Sequence, residues 1–250
     1  MVDSPLKLRS FLAGMGRIEQ IDPITRLLLP NITRSQYSDA QLDDYAGLPR
    51  RLFPHRPPLR FSIRARFSSD VIAGTAGFGF WNQPFMPGGG MPTLPRAIWF
   101  FYGSPLSNMT LALDVPGYGW KAATIDALRP SALAIAPLAP IVLLLNRSRR
   151  IYRRLWPVIQ KALAIQEQSL PIETMRDWHT YTIEWGINQA RFRVDDRLVL
   201  ETDRAPRGPL GFVAWIDNQF AVVTPTGRIR FGLLDSDQPQ WLEIKETRLL

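Results

Sequence analysis

Apolar and polar residues alternate along much of the chain. Leu59, Phe61, Ile63, Ala65 and Phe67 are apolar, while Arg60, Ser62, Arg64 and Arg66 between them are polar. A strand turns successive side chains to opposite faces, so this period of two predicts a strand over 59–67 with one wet face. The same pattern at 179–185 sets Tyr181, Ile183 and Trp185 on one face and Thr182 and Glu184 on the other. Further strands are predicted at 190–200, with a polar Asp195-Asp196 break, and at 211–217, 228–233 and 241–248. Residues 74–82 read as a Gly/aromatic strand suited to close backbone approach, 96–102 as a strand apolar on both faces, and 110–115 as another strand. Residues 1–35 read as an irregular arm or opening strand, and 37–58 as turn-rich. The loop 84–92, with Gly88-Gly89-Gly90, is expected to be flexible.

The pattern breaks over 122–168, where composition turns helical and Pro130, Pro137, Pro140 and Pro157 divide it into short pieces. The chain is therefore expected to be one all-β domain over 1–250, a two-sheet antiparallel sandwich, with a helical insertion at 122–168. Loops of this length are uncommon in compact domains, so the insertion is expected to be a structural cap, a lid over a ligand cleft, or a membrane-surface patch.

Composition narrows the chemistry. There is no cysteine, which excludes disulfides and thiolate sites, and His55 and His179 alone cannot build a histidine-rich metal site. No metal or cofactor is expected. His179 is expected to make a structural hydrogen bond. The formal charge of +8 is concentrated at Arg147, Arg149, Arg150, Arg153, Arg154 and Lys161. No nucleic-acid-binding motif accompanies it, and nucleic acid is not an expected partner. The run 133–145 has no charge and is too short to span a bilayer, which takes about 20 apolar residues. It is expected to be buried against the sandwich, so a membrane contact is not favoured. Without an apolar stretch of signal-peptide type near the amino terminus, a cytoplasmic location is the default.

One pair of segments carries a resemblance. Asp177-Trp-His-Thr-Tyr-Thr-Ile-Glu-Trp185, followed by Ala190-Arg-Phe-Arg-Val-Asp-Asp-Arg-Leu-Val-Leu200, resembles the back half of the family-sixteen glycoside hydrolases of laminarinase and lichenase type. A front block at 59–115 matches them in pattern. The resemblance implies the concanavalin A-like jelly roll and a concave, ligand-facing sheet. In that family one strand reads Glu-x-Asp-x-x-Glu, or one residue shorter, and supplies nucleophile and acid/base about 5 Å apart. Here 95–103 takes that place, putting Arg96 at the nucleophile, Ile98 at the middle aspartate and Phe101 at the acid/base. No Asp or Glu occurs between Val71 and Met109, so no shift of alignment restores the carboxylates.

The implied cleft is lined by Trp81, Asn82, Arg96, Trp99, Phe100 and Phe101 from the front half and by Trp215, Asp217 and Asn218 from the back. Such rings stack on sugars or bury hydrocarbon, and they equally form core; Asp217-Asn218 also suits a hairpin turn. The first expectation is a non-hydrolytic binder of an apolar or amphipathic ligand, such as a glycan or glycolipid. The alternatives are an enzyme using Glu184, Asp217 or Arg96, and a peripheral membrane protein acting through the basic insertion. The oligomeric state is not readable.

Overall fold

A computed structural model describes residues 6–84 and 91–250, so most of the predicted glycine loop lies outside the described residues. Two seven-stranded sheets pack face to face. The first runs Arg9–Ala13, Asp39–Asp43, Gly211–Asp217, Thr75–Trp81, Arg96–Gly103, Gly119–Asp126, Gln166–Ser169. The second runs Arg197–Thr202, Ala190–Val194, His179–Trp185, Leu59–Phe67, Gln240–Leu249, Ile24–Leu29, Arg17–Ile21. Neighbouring strands are antiparallel throughout both. A small third sheet joins Ile229–Leu233, Gln219–Val223 and Asn108–Met109.

Alternation fills the space between the sheets. Phe61, Ile63, Ala65 and Phe67 point inward from one side, and Phe78, Phe80, Ile98, Phe100, Tyr102 and Trp120 from the other. Tyr181 closes the middle, with ring centroids 5.1 Å from Phe78, 5.0 Å from Phe100 and 5.6 Å from Trp120. Phe100, expected to line a cleft, is fully buried in this core.

Several expectations are corrected. The arm at 1–35 contains three strands, because its short apolar runs pair with sheet edges. The turn-rich region holds Asp39–Asp43, every residue of which is buried between two strands. Residues 110–115 form no strand. Their backbone groups are instead taken by side chains, with Glu167 accepting the Ala112 N–H and Trp156 donating to the Leu111 carbonyl. Asp195 and Asp196, both at positive φ, turn a hairpin rather than interrupt one strand. Residues 229–233 belong to the third sheet, not to the two main ones.

The insertion is shorter than expected. Gly119–Asp126 and Gln166–Ser169 are paired strands, and helices occupy only Pro130–Ile135, Ala139–Leu145 and Arg149–Ala162, with a short 3-10 turn between the first two. It is the long tip of a hairpin. Proline sits in the first turn of both short helices, where its missing N–H costs nothing. The longest helix seats Trp156, Ile159 and Gln160 on the domain. The apolar run 133–145, expected to be buried, is mostly exposed: anchoring falls to Ala132 and Asn146 at its ends, which leaves the leucines outward. Among the described residues no helix is long and apolar enough to cross a membrane.

Candidate functional site

The face of the first sheet turned away from the core brings together several of the expected site residues. On Arg96–Gly103 the inward residues are Ile98, Phe100 and Tyr102, which leaves Ala97, Trp99 and Phe101 outward. Of the positions expected for the family's carboxylates, Ile98 thus points into the core, and the residues this strand turns outward include Ala97, Trp99 and Phe101. None is acidic.

Glycine makes room for the rings. Gly77 and Gly79 face outward on the neighbouring strand, opposite Phe101 and Trp99. A Cβ on Gly79 would lie 2.7 Å from Trp99 Cβ, and one on Gly77 would lie 3.0 Å from Trp215 Cη2. The absence of side chains there lets rings from both flanking strands meet. Trp81 and Trp215 stack with centroids 6.2 Å apart and planes 3° from parallel. Trp99 lies 5.4 Å from Trp215, 6.0 Å from Trp81 and 5.3 Å from Phe101. Trp81, Trp99 and Phe101 are half-buried, and Trp215 is nearly covered. The result is an aromatic strip.

A polar wall flanks it. Asp39, Gln41 and Asp43 alternate outward on one strand, with Trp215 and Asp217 outward on the next. Gln41 Nε2 donates to Asp43 Oδ2 at 2.9 Å, and Trp81 Nε1 donates to Tyr45 Oη at 2.6 Å. Trp215 Nε1 donates to Thr75 Oγ1 at 2.9 Å, and that hydroxyl donates to Asp217 Oδ1 at 3.0 Å. A relay thus joins the strip to the carboxylates.

Asp39 and Asp217 lie directly opposite each other across the strand pair. Tyr37 Oη donates to Asp39 Oδ2 at 3.1 Å, and Asp39 Oδ1 has no hydrogen-bond partner among the described residues. Burial raises the Asp217 carboxyl to about 7, against the pull of its hydrogen bonds from Gln219 and Thr75. Burial, with the neighbouring Asp217 charge, pushes Asp39 well above the usual carboxylate range. Two buried like charges this close are best relieved by retaining a proton.

The opposite wall is apolar. Leu111, Val115 and Leu163 pack with Ala97, Ile125, Trp81 and Trp99. The insertion stands behind them, held by the Trp156–Leu111 bond at 2.8 Å. Under this wall Lys121 and Glu167 pair at 3.5 Å, with the lysine lowered and the glutamate raised by burial. Hollows of about 480 Å³, at Pro92–Pro95 and Leu128, and about 390 Å³, around Gln166 and Arg204, are lined by none of the four rings.

Of the expected site residues, Trp81, Trp99, Phe101, Trp215 and Asp217 come together. Four do not. Asn82 is buried, accepting from Arg96 N and donating to the Leu94 carbonyl, so it pins a loop. Arg96 is held by fully buried Asp126 at 2.8 Å. Asn218, fully buried, accepts from Ser38 N and donates to three carbonyls. Glu184 lies on the outer face of the second sheet, paired with Arg193 at 3.3 Å, a full sandwich away from the strip. Sequence reading missed Asp39, Gln41, Asp43, Tyr37 and Tyr45. The available signal was the period-two acidic pattern Asp-Ala-Gln-Leu-Asp.

Two antiparallel sheets with a ring-lined outer face define a concanavalin A-like β-sandwich resembling the family-sixteen glycoside hydrolases in fold. No family model matches the chain, and no curated protein sequence does. Among solved structures it is similar to a protein described with endo-acting O-glycanases that prominent members of the human gut microbiota express to initiate mucin breakdown. That match covers 99% of this chain and 92% of the other, at 10% identity and a TM-score of 0.53. A prokaryotic β-1,3-1,4-glucanase (lichenase) from a mouse hindgut metagenome is similar over 93% of this chain and 82% of its own, at 12% identity and a TM-score of 0.49. Bacillus licheniformis β-glucanase covers 99% and 96%, at 9% identity and a TM-score of 0.47. The first of these matches bears out the jelly-roll sandwich; identities this low speak for fold alone.

Proposed function

We propose that the protein binds a glycan, free or as the head of a glycolipid, along the aromatic strip, without cleaving it by the family-sixteen double displacement. The observation that carries this reading is the cluster of Trp81, Trp99, Phe101 and Trp215 on the outer face, with three of the four rings half-buried. Ring faces stack on the C–H faces of sugars, while carboxyl and amide groups alongside meet hydroxyls. The strip has a polar wall at Asp39, Gln41 and Asp43 and an apolar one at Leu111, Val115 and Leu163, which suits an amphipathic ligand. The glycan-active protein of similar fold makes sugars the first class to test.

The test is calorimetric titration with laminarin, lichenan and mucin-type O-glycans. Saturable binding to at least one is expected, weakened roughly tenfold or more in Trp99→Ala with folding intact. Binding to none of them, or binding indifferent to both Trp81→Ala and Trp99→Ala, overturns the reading.

The Asp39–Asp217 pair favours a second reading, acid/base catalysis by carboxylates outside the family pattern. Against it, the two groups are only 3% and 7% exposed, which leaves little access for a sugar. Reducing-sugar release that disappears in Asp217→Asn would establish the second reading. None is expected.

A further inference from the structure

Residues 127–166 contain seven Lys and Arg and no Asp or Glu, against +8 for the whole chain. Nearly all the excess charge thus sits on one excursion from the sheet. Arg147, Arg149, Arg150, Arg153 and Arg154 are exposed, and among the described residues their one ion pair is Arg153 with Asp114 at 3.5 Å. Immediately before them in the chain lies the uncovered apolar run. Leu138 is 51% exposed, Ile141 56% and Leu144 61%. The turn before Ile229–Leu233 packs against the same helices: Asn146 Nδ2 donates to the Pro225 carbonyl at 2.8 Å, and Leu143 lies 3.5 Å from a Cβ built on Gly227. That strand adds exposed Ile229 and Phe231, with Arg228 and Arg230 between and beside them.

Aliphatic side chains this exposed, concentrated in one short segment beside a second exposed strand, are unusual on a monomer and mark a contact surface. Its chemistry selects the partner. A nucleic acid would use the arginines and leave the leucines in water. A second copy meeting leucine to leucine would bring two uncompensated arginine clusters together. An anionic lipid surface satisfies both sets at once, with apolar residues below the headgroups and guanidinium groups at the phosphates. Prolines split the run into two short helices, which suits lying in the interface rather than crossing it.

We propose that the helical insertion docks the protein on an anionic phospholipid bilayer, with Leu138, Ile141 and Leu144 entering the headgroup boundary and Arg147, Arg149, Arg150, Arg153 and Arg154 facing phosphates. This stands independently of the glycan reading, since it uses none of the strip residues.

The test is sedimentation of the full chain with phosphatidylglycerol–phosphatidylcholine vesicles and with pure phosphatidylcholine vesicles. Binding to the anionic vesicles alone is expected, weakening as salt rises. The quadruple variant Arg149→Gln, Arg150→Gln, Arg153→Gln, Arg154→Gln should bind on the order of 1,000-fold more weakly. The double variant Ile141→Asp, Leu144→Asp should lose binding even at low salt. All six positions are exposed, so unchanged thermal unfolding separates lost docking from lost fold. No binding to anionic vesicles at low salt, or binding indifferent to both variants, overturns the proposal. So does a dimer in light scattering that Ile141→Asp, Leu144→Asp dissociates, which would assign the face to a second copy. Binding of DNA or RNA through the arginines, with the vesicles ignored, overturns it too.

Discussion

Asp39 and Asp217 show how one pair of side chains ties stability to pH. Both carboxyls are raised in the folded chain, chiefly by burial, and Asp217 reaches about 7. In the unfolded chain both titrate near the ordinary value, so between about pH 4 and about pH 7 the folded state holds more protons. The contribution of such a group is fully present below its unfolded pKa and is lost as pH rises through the folded one. Stability is therefore expected to fall across this window, by up to about 1.4 kcal/mol per pH unit for each excess proton. Asp39→Asn, which removes one of the two carboxyls that hold an excess proton, should flatten the slope. Urea midpoints measured across the window check this, and a wild-type profile that is flat or rises would contradict it. Asp217 was legible because it ends the strongly apolar run Gly211–Asp217. Asp39 was not, since Asp and Gln are depleted in strands and a segment flanked by turn residues reads as loop.

Among the elements, the insertion separates composition from boundary. Its prolines and leucines predicted short helices, and three formed. Yet Gly119–Asp126, buried along almost its whole length, offers no alternation, and periodicity does not distinguish a fully buried strand from a buried helix. Pairing with Arg96–Gly103 decided it. Because the flanking strands already pair, with Asp126 N donating to the Leu163 carbonyl at 2.7 Å, replacing 128–162 by a tight turn should leave the sandwich folded. Losing the seats of Trp156 and Ile159 is expected to cost about 2–4 kcal/mol in urea denaturation. A variant that fails to unfold cooperatively would show instead that the insertion is needed for the fold.

For the molecule as a whole, stability rests on rings that join the sheets. Phe100 touches Trp120 and Tyr181 and meets Phe192 edge-on at 5.3 Å, whereas Phe101, next in sequence, lies outside on the strip. Phe100→Ala should therefore destabilise by about 3–5 kcal/mol and Phe101→Ala by markedly less. Equal losses would contradict the assignment of inner and outer faces. Charge is distributed on the same scale: the sandwich is close to neutral and the excess rides on the insertion.

The sequence by itself determined the alternating strands Leu59–Phe67 and His179–Trp185, the apolar strand Gly211–Asp217, the sandwich they imply, and the lack of carboxylates on the strand Arg96–Gly103. These are local facts, because a side-chain period of two and an absent residue type need no partner to be read. Tertiary structure decided which member of each Arg96–Gly103 pair faces out, that Asp39 meets Asp217, that Glu184 belongs to the opposite sheet, and that the leucines of the insertion lie uncovered. Each of these depends on strand register and on what packs above a face. Register is set by contacts between segments as far apart as 39–43 and 211–217, and no local pattern encodes it.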